Sequence, residues 1–171
     1  SFEVSHDGGY LFVYPREGCV DTDWLYCRLS DFGLEDKLSL IPIYDKMDAE
    51  FDYISNDGET VYFRTNLDAK NYRVVKLNLS NPSKDNWVEV IPNHPHDVLN
   101  SAEMYTVDGV DYLLVNYLRK VAYNLELHRL GQGLVKTFPT PLGTISKYSG
   151  RRNDGEFFFH FTSFLTPGQT Y

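Results

Sequence analysis

The sequence predicts an all-β fold built from repeated antiparallel strands, and two observations carry that prediction. An Asp-Gly pair occurs four times, at Asp7, Asp57, Asp108 and Asp154, with spacings of 50, 51 and 46 residues. A run rich in aromatic and β-branched residues follows each pair, and no stretch has the periodicity of a helix. A period of about 40–50 residues with four strands per repeat is typical of the blades of a β-propeller.

The first repeat shows how one unit is built. Asp-Gly suits a tight hairpin turn because glycine takes a positive φ without a Cβ clash and aspartate tolerates the left-handed region. Residues 10–14 form a strongly strand-prone run, and Pro15 ends it because proline has no N–H to donate to a ladder. The matching runs after the other three turns are 60–63, 112–117 and 157–161.

Two more apolar runs follow in each of the first three repeats, at 24–29, 72–79 and 124–130 and then at 38–43, 87–91 and 134–138. The predicted blades span about 1–47, 48–98 and 99–143, with an incomplete one at 144–171. A propeller needs roughly four to eight blades to close, so about three and a half blades predict a piece of a larger ring, cut at both ends. Acidic and apolar residues alternate over 50–55, which predicts one wet face on an inner strand.

Composition and charge exclude several classes of function. Apolar residues make up 42% of the chain and aromatic residues 15%, which is enough to bury a core. The formal net charge of −8 argues against nucleic acid and against an anionic membrane surface as partners. No apolar run approaches the ~20 residues of a membrane helix, and we expect no signal peptide. We interpret Cys19 and Cys27 as free thiols in a reducing, cytoplasmic setting, with one short-loop disulfide as the alternative.

The candidate catalytic and metal-binding motifs favour structural roles. Residues 94–97 offer two imidazoles and a carboxylate, but Pro95 separates the histidines, and we interpret the segment as an interblade loop. Asp21 and Asp23 flank a strand start and are interpreted as solvated loop charges. Ser163 has no nearby histidine–aspartate pattern and is interpreted as a hydrogen-bonding loop hydroxyl. The nucleophile elbow, the Walker A motif and the dinucleotide fingerprint do not occur, so we expect no cofactor and no metal.

Arg16 and Cys19 are the strongest candidates for a binding role. In an average loop, Arg16 would be a solvent-exposed arginine and Cys19 a small apolar side chain that packs locally. In a propeller, however, the loops after the second strand of every blade open on one face. Arg16, Asn66, Arg119 and Thr162 fall at roughly equivalent places, and such a set of polar loops is a natural surface for a ligand or partner.

Several stretches resemble the prolyl oligopeptidase (prolyl endopeptidase) family over the whole length of the chain. They are residues 5–10, 16–19, 71–74, 136–139, 148–150 and 161–168. The Arg-Glu-Gly-Cys and Thr-Ser-Phe-Leu-Thr-Pro-Gly stretches are fairly specific to that family, whereas the Asp-Gly turns are not. The resemblance implies a two-domain serine peptidase, in which a seven-bladed propeller covers an α/β-hydrolase domain that cleaves short peptides after proline. This segment resembles the middle-to-late blades.

The resemblance also implies roles for individual residues. Arg16 matches a propeller arginine near the bound peptide. Cys19 matches a cysteine that lines the apolar pocket for the substrate residue two before proline. A polarizable, weakly polar thiol packs well in such a pocket. The catalytic Ser, Asp and His belong to the hydrolase domain, which this segment lacks, so we expect the segment alone to be inactive. Phe12, Tyr14 and Pro15 depart from the smaller aliphatic residues expected there, which predicts different packing under the loop.

These implications define the expected partners and one alternative. Partners are short proline-containing peptides and the α/β-hydrolase domain of the same chain, and the isolated segment is expected to self-associate through uncovered blade faces. The blades would act as a lid and size filter over the active site. The alternative is a non-enzymatic propeller scaffold that binds a protein partner through its loop face.

Overall fold

The computed structural model describes residues 1–15, 23–33, 36–140 and 142–171, without the side chains of Ser146 and Lys147. Over these residues the chain forms fifteen strands and two 3₁₀ turns. The strands make three four-stranded sheets and one three-stranded sheet, and neighbouring strands are antiparallel and consecutive in sequence. The predicted all-β fold with repeated antiparallel blades is therefore confirmed. The blade limits given above stay predictions.

The chain divides into two compact units, and the first comprises Ser1–Asn93. Sheet 1 contains β1 (Phe2–Val4), β2 (Tyr10–Val13), β3 (Trp24–Arg28) and β4 (Ile41–Tyr44). Sheet 2 contains β5 (Phe51–Asp57), β6 (Thr60–Thr65), β7 (Arg73–Asn78) and β8 (Val88–Ile91).

The second unit comprises His94–Tyr171. Sheet 3 contains β9 (Val98–Val107), β10 (Val110–Arg119), β11 (Ala122–Arg129) and β12 (Gly133–Phe138). Sheet 4 contains β13 (Thr144–Ser149), β14 (Phe158–Thr162) and β15 (Gln169–Thr170). No helix within the described residues is long and apolar enough to cross a membrane.

Each Asp-Gly pair lies in the turn between the first and second strands of its sheet, as predicted. Gly8, Gly58, Gly109 and Gly155 have φ values of 71°, 54°, 73° and 69°. Asp108 also takes a positive φ of 50°, so the turn between β9 and β10 uses the left-handed region at both central residues. Glycine is needed in these turns because a side chain would strain the backbone there.

Two strand predictions need correction. The run 38–43 is a strand only from Ile41 onwards, because the residues that pairing buries are Ile43 and Tyr44 at its far end, whereas Leu38 and Leu40 are exposed. The expected wet face of the run 50–55 is found only at Glu50 and Asp52, which are half-buried and exposed, and it ends at the buried Ile54. A bulge between Tyr53 and Ser55 shifts the register there.

Aromatic side chains form the core of the first unit. The Trp24 ring lies 5.9 Å from that of Phe12, 5.4 Å from that of Phe51 and 4.4 Å from that of Phe63, between ring centroids. These four side chains are buried and come from both sheets. Large aromatic faces bury much apolar area per residue, so they hold the face of sheet 1 against that of sheet 2.

The second unit has its own core between sheets 3 and 4. Its buried members are Tyr105, Leu114, Leu125, Ile145 and Phe161. Alternate residues along β14 point into it, which is the period of two expected for a strand covered on one side.

Candidate functional site

The second strand of each sheet ends in a loop. We call the start of that loop the second-strand edge of the sheet. Pro15 follows β2 by two residues, Asn66 follows β6 directly, and Arg119 and Thr162 are the last residues of β10 and β14. The equivalence predicted for Asn66, Arg119 and Thr162 is thus found in each sheet. Arg16 and Cys19 lie outside the described residues.

At the edge of sheet 2, Asn66 builds the turn. Its Oδ1 accepts a hydrogen bond from the Glu50 backbone N–H at 2.7 Å, and its carbonyl accepts one from the Ala69 N–H at 2.9 Å. The Tyr72 hydroxyl donates to Glu50 Oε2 at 2.6 Å. Burial, followed by that bond, raises the pKa of Tyr72 to about 12. Polar side chains here are therefore used to hold the loop.

At the edge of sheet 3, a guanidinium group is held by a buried carboxylate. Arg119 Nε donates to Asp97 Oδ2 at 2.6 Å, and the Asp97 side chain is only 7% exposed. The Asp97 backbone N–H donates to His94 Nδ1 at 2.9 Å, so a lone pair of that imidazole is used within the segment 94–97. These contacts favour the interpretation of the segment as a structured loop. Because the Arg119 side chain remains 48% exposed, its outer face is available to an acceptor such as a carboxylate or a peptide carbonyl.

At the edge of sheet 4 lies an open depression of about 580 Å³. Its lining residues are Val121, Leu142, Gly143, Thr144, Thr162, Ser163 and Phe164. A Cβ on Gly143 would come within 2.4 Å of the Thr162 carbonyl oxygen, so glycine lets this segment approach β14 closely. Ser163 Oγ accepts from the Leu165 and Thr166 backbone N–H groups at 3.2 and 3.0 Å, the role of a turn-forming hydroxyl.

The structure also tests the interpretations of Cys27 and Asp23, which lie in and directly before β3 of sheet 1. Cys27 is a free thiol, buried within β3, and burial raises its pKa. The disulfide alternative therefore does not apply to Cys27. Asp21 lies outside the described residues. Asp23 does not fit the solvated charge expected, because its Oδ1 is buried without a hydrogen-bond partner among the described residues.

An ion-paired contact between sheets was missed by the sequence analysis. The Arg152 guanidinium lies 3.1 Å from Asp111 Oδ1 and 3.2 Å from Oδ2, and its Nε donates to Thr106 Oγ1 at 3.1 Å. The Thr106 backbone N–H donates to the Arg152 carbonyl at 2.6 Å. These bonds join the turn of sheet 4 to the first hairpin of sheet 3. No local sequence pattern signals them, because the partners come from different repeats.

Comparison with known proteins identifies similar chains over the full length. The sequence model described as "Prolyl oligopeptidase, N-terminal beta-propeller domain" matches residues 1–171. Prolyl oligopeptidase ophP from Omphalotus olearius is 34% identical over 100% of this chain and 23% of its own length. Prolyl oligopeptidase dbiP from Dendrothele bispora is 30% identical over 99% of this chain, again 23% of its own length.

Solved structures give the same likeness at the level of fold. Prolyl oligopeptidase B from Galerina marginata, bound to a 35mer hydrolysis and macrocyclization substrate, has a TM-score of 0.85 at 24% identity. The match covers 99% of this chain and 23% of that one. At this identity the likeness shows the fold alone. This chain thus spans about a quarter of the length of the relatives that it matches.

Proposed function

The chain belongs to the prolyl oligopeptidase family, within its N-terminal β-propeller domain, and we propose that it is a segment of the propeller of a post-proline-cleaving serine oligopeptidase. The observation that carries the proposal is the family match over residues 1–171. The repeated second-strand edge supports it, since loops on a rigid sheet scaffold are where binding residues concentrate.

In the full-length protein, these blades act as a lid and size filter. The catalytic Ser, Asp and His come from an α/β-hydrolase domain outside this segment, and the substrates are short proline-containing peptides. A covering propeller excludes folded proteins by size, and it excludes bulk water from the reacting groups. The electrostatic interactions of the catalytic residues are stronger in such an enclosed site.

Arg16 and Cys19 line part of the substrate pocket. Arg16 supplies a charge-assisted hydrogen bond to the peptide, and Cys19 forms part of an apolar wall. Phe12 and Tyr14 are buried immediately before this loop, so it starts from an aromatic base rather than from small aliphatic residues. We also assign the protein to the reducing cytoplasm, because Cys27 is a free thiol. No observation favours the non-enzymatic scaffold.

The test is release of a chromophore from a proline-linked amide by the full-length protein. Replacing Arg16 by alanine removes one charged hydrogen bond, so we expect kcat/KM to fall roughly 10- to 100-fold. Arg151→Ala is the matched control, since Arg151 is exposed in the turn at the other end of sheet 4. Unchanged kcat/KM in the Arg16 variant would remove Arg16 from the pocket. Absence of hydrolysis by the full-length protein would refute the proposed activity.

Alkylation under native conditions tests Cys19 in the same assay. We expect Cys19 to react and turnover to slow as the label crowds the pocket, while Cys27 stays unlabelled because it is buried and its pKa is raised. Mass-spectrometric mapping identifies the labelled thiol. Equal labelling of both cysteines with full activity retained would exclude Cys19 from the site.

A further inference from the structure

The four Asp-Gly turns carry the same pair of residues, but the fold holds them in different ways. Aspartate before glycine is the pair most prone to spontaneous isomerisation, because glycine has no Cβ that hinders attack by its backbone nitrogen. That reaction needs an available aspartate carboxyl group, an available N–H on the glycine and a backbone that lets the two approach. A turn that withholds these groups is protected.

The turn of sheet 1 engages both reacting groups. Asp7 Oδ1 accepts from Ser5 Oγ at 2.6 Å and from the Gly9 N–H at 2.9 Å. Asp7 Oδ2 accepts from Asn56 Nδ2 at 2.7 Å, and the Gly8 N–H donates to the Ser5 carbonyl at 2.9 Å. Burial opposes the charge of Asp7, but these hydrogen bonds outweigh it and lower the pKa of the carboxyl group. Asp7 therefore stays a carboxylate, which is a poor target for attack.

The turns of sheets 2 and 3 are clamped by their ladders. Asp57 pairs with Thr60 across the turn of sheet 2. Val107 pairs with Val110 across the turn of sheet 3, so two residues lie between the paired positions in each case. Ring closure requires the glycine nitrogen to move towards the aspartate Cγ. A two-residue turn between paired strands resists that movement, because the ladder must open first.

The turn of sheet 4 is longer and less constrained. β13 ends at Ser149 and β14 begins at Phe158. Within this connection, the Arg152 carbonyl is held by sheet 3, and Phe157 packs against the core. All four residues between these two anchors, 153–156, are exposed. Exposed backbone outside a ladder changes conformation at a low cost in free energy, so this turn meets the requirements that the other three do not.

We propose that Asp154–Gly155 is a site of spontaneous isoaspartate formation in the folded protein, and that Asp7–Gly8 is protected from the same reaction. The Gly155 nitrogen attacks the Asp154 Cγ and forms a C–N bond, and the carboxyl hydroxyl leaves with the amide proton as water. Water then opens the cyclic imide. Cleavage between nitrogen and Cγ restores aspartate, whereas cleavage between nitrogen and the main-chain carbonyl carbon gives isoaspartate.

The product alters the backbone and leaves the net charge unchanged. In isoaspartate the chain runs through Cγ, which adds one methylene group to the backbone between Arg152 and Phe157. The Arg152 carbonyl accepts the Thr106 N–H at 2.6 Å, so the added length falls two residues from a bond that joins sheets 3 and 4. The modification therefore acts on the contact between these two sheets.

Incubation of the folded, full-length protein in heavy-oxygen water at neutral pH tests the proposal. Each opening of the imide places one heavy oxygen in the residue, so peptide mapping by mass spectrometry measures imide formation at each Asp-Gly pair. Electron-based fragmentation then distinguishes isoaspartate from aspartate. We expect label and isoaspartate to accumulate severalfold faster at Asp154 than at Asp7, Asp57 or Asp108. No label at Asp154, or label at Asp7 at an equal rate, would overturn the proposal.

Two variants separate the structural cause from the sequence motif. Asp154→Glu keeps the charge but disfavours the ring, so the isoaspartate signal of this turn should disappear. A signal that persists would come from the neighbouring Asn153 and would contradict the assignment. Asn56→Ala and, independently, Ser5→Ala each remove a bond to the Asp7 carboxylate, so labelling of Asp7 should rise severalfold while that of Asp154 stays the same.

The denatured protein provides the final control. In denaturant, where the hydrogen bonds and ladders are lost, all four Asp-Gly pairs should take up label at similar rates. A denatured Asp7 that remains slower than Asp154 would show that the fold is not the source of the protection, and it would contradict the proposal. None of these measurements depends on peptidase activity.

Discussion

At the scale of single residues, Glu103 is the acidic side chain whose burial has the clearest consequence. It lies on β9 opposite Leu114 of β10, next to the core of the second unit. Burial alone raises the pKa of its carboxyl group. Burial, and then the charge of Glu103, raises the pKa of the neighbouring Tyr105 to about 12. Folding therefore shifts the titration of Glu103 towards the protonated form relative to the unfolded chain.

The sign of the resulting pH dependence follows from linkage. Because the folded-state pKa lies above the ordinary value of 4.5 for a glutamate, the stabilising contribution of the neutral acid is complete below about pH 4.5 and is lost as the pH rises through the folded pKa. Glu103→Gln removes this loss. We expect the variant to have a higher Tm than the wild type at pH 7 and no advantage at pH 4, measured by thermal unfolding.

A matched control is Glu126→Gln. Glu126 Oε2 lies 3.0 Å from His128 Nε2, so loss of its charge removes a favourable contact and should not raise the Tm. An equal gain in both variants would show that the effect is not specific to the buried position. No gain at pH 7 for Glu103→Gln would contradict the assignment of an unfavourable charge there.

At the scale of elements, the contact between sheets 3 and 4 depends on the Arg152–Asp111 pair. Both side chains are mostly buried, and Arg152 also bonds Thr106. Arg152→Ala leaves the Asp111 carboxylate without its guanidinium, so we expect a loss of about 1–3 kcal/mol in the free energy of unfolding. Denaturant titration measures it. Arg151→Ala, in the same exposed turn, should change stability by less than about 0.5 kcal/mol.

The strands show how far the sequence predicts elements. Asp-Gly turns and aromatic runs located all four first hairpins, because these signals are local. The run predicted for the edge strand β4 begins at Leu38, before the observed start at Ile41, since an outer strand gains little burial to fix where pairing begins. The wet face expected for β5 is limited to Asp52, because contacts with sheet 1 bury the residues that follow. The His6 backbone N–H donates to the Tyr53 hydroxyl at 3.0 Å and its ring contacts the Ile54 carbonyl, so sheet 1 covers that strand.

In the candidate site, too, positions set by local sequence were predictable and contacts between distant residues were not. The position of Arg119 at a second-strand end was predictable from the repeat, but its pairing with Asp97 was not, because the two are joined only by folding. Phe164 and Leu165 lie in the stretch 161–168, for which the sequence predicts a loop around Ser163. Their exposure is a tertiary property that sequence spacing does not contain.

At the scale of the whole molecule, apolar side chains lie exposed on strands of sheets 1 and 4. Phe2 and Val4 are exposed on β1, and Phe158 is exposed on β14. In a larger propeller these surfaces face further blades. We therefore expect the 171-residue polypeptide alone to self-associate, with an average mass in sedimentation equilibrium that rises with concentration. A monomer that persists across a hundredfold concentration range would contradict this.

Four histidine rings make contacts with a backbone carbonyl, a backbone N–H, a carboxylate and a threonine hydroxyl. His6 contacts the Ile54 carbonyl, and His94 accepts from its own loop backbone. His128 pairs with Glu126, and His160 lies 3.5 Å from the Thr170 hydroxyl. Nucleophilic catalysis needs a serine or cysteine beside a base that a third group orients. None of these four contacts joins a histidine ring to a serine or a cysteine.

The polypeptide alone should therefore not hydrolyse a proline-linked amide, whereas the full-length protein should. Cys27 is buried and its pKa is raised by burial, so it is a poor nucleophile. Cys19 is the remaining thiol, and we expect it to contribute to binding only. The measurement compares chromophore release by the purified polypeptide with a control lacking protein. Turnover that survives repurification and is abolished by Cys19→Ala would place a catalytic centre in the propeller itself and contradict its assignment as a lid.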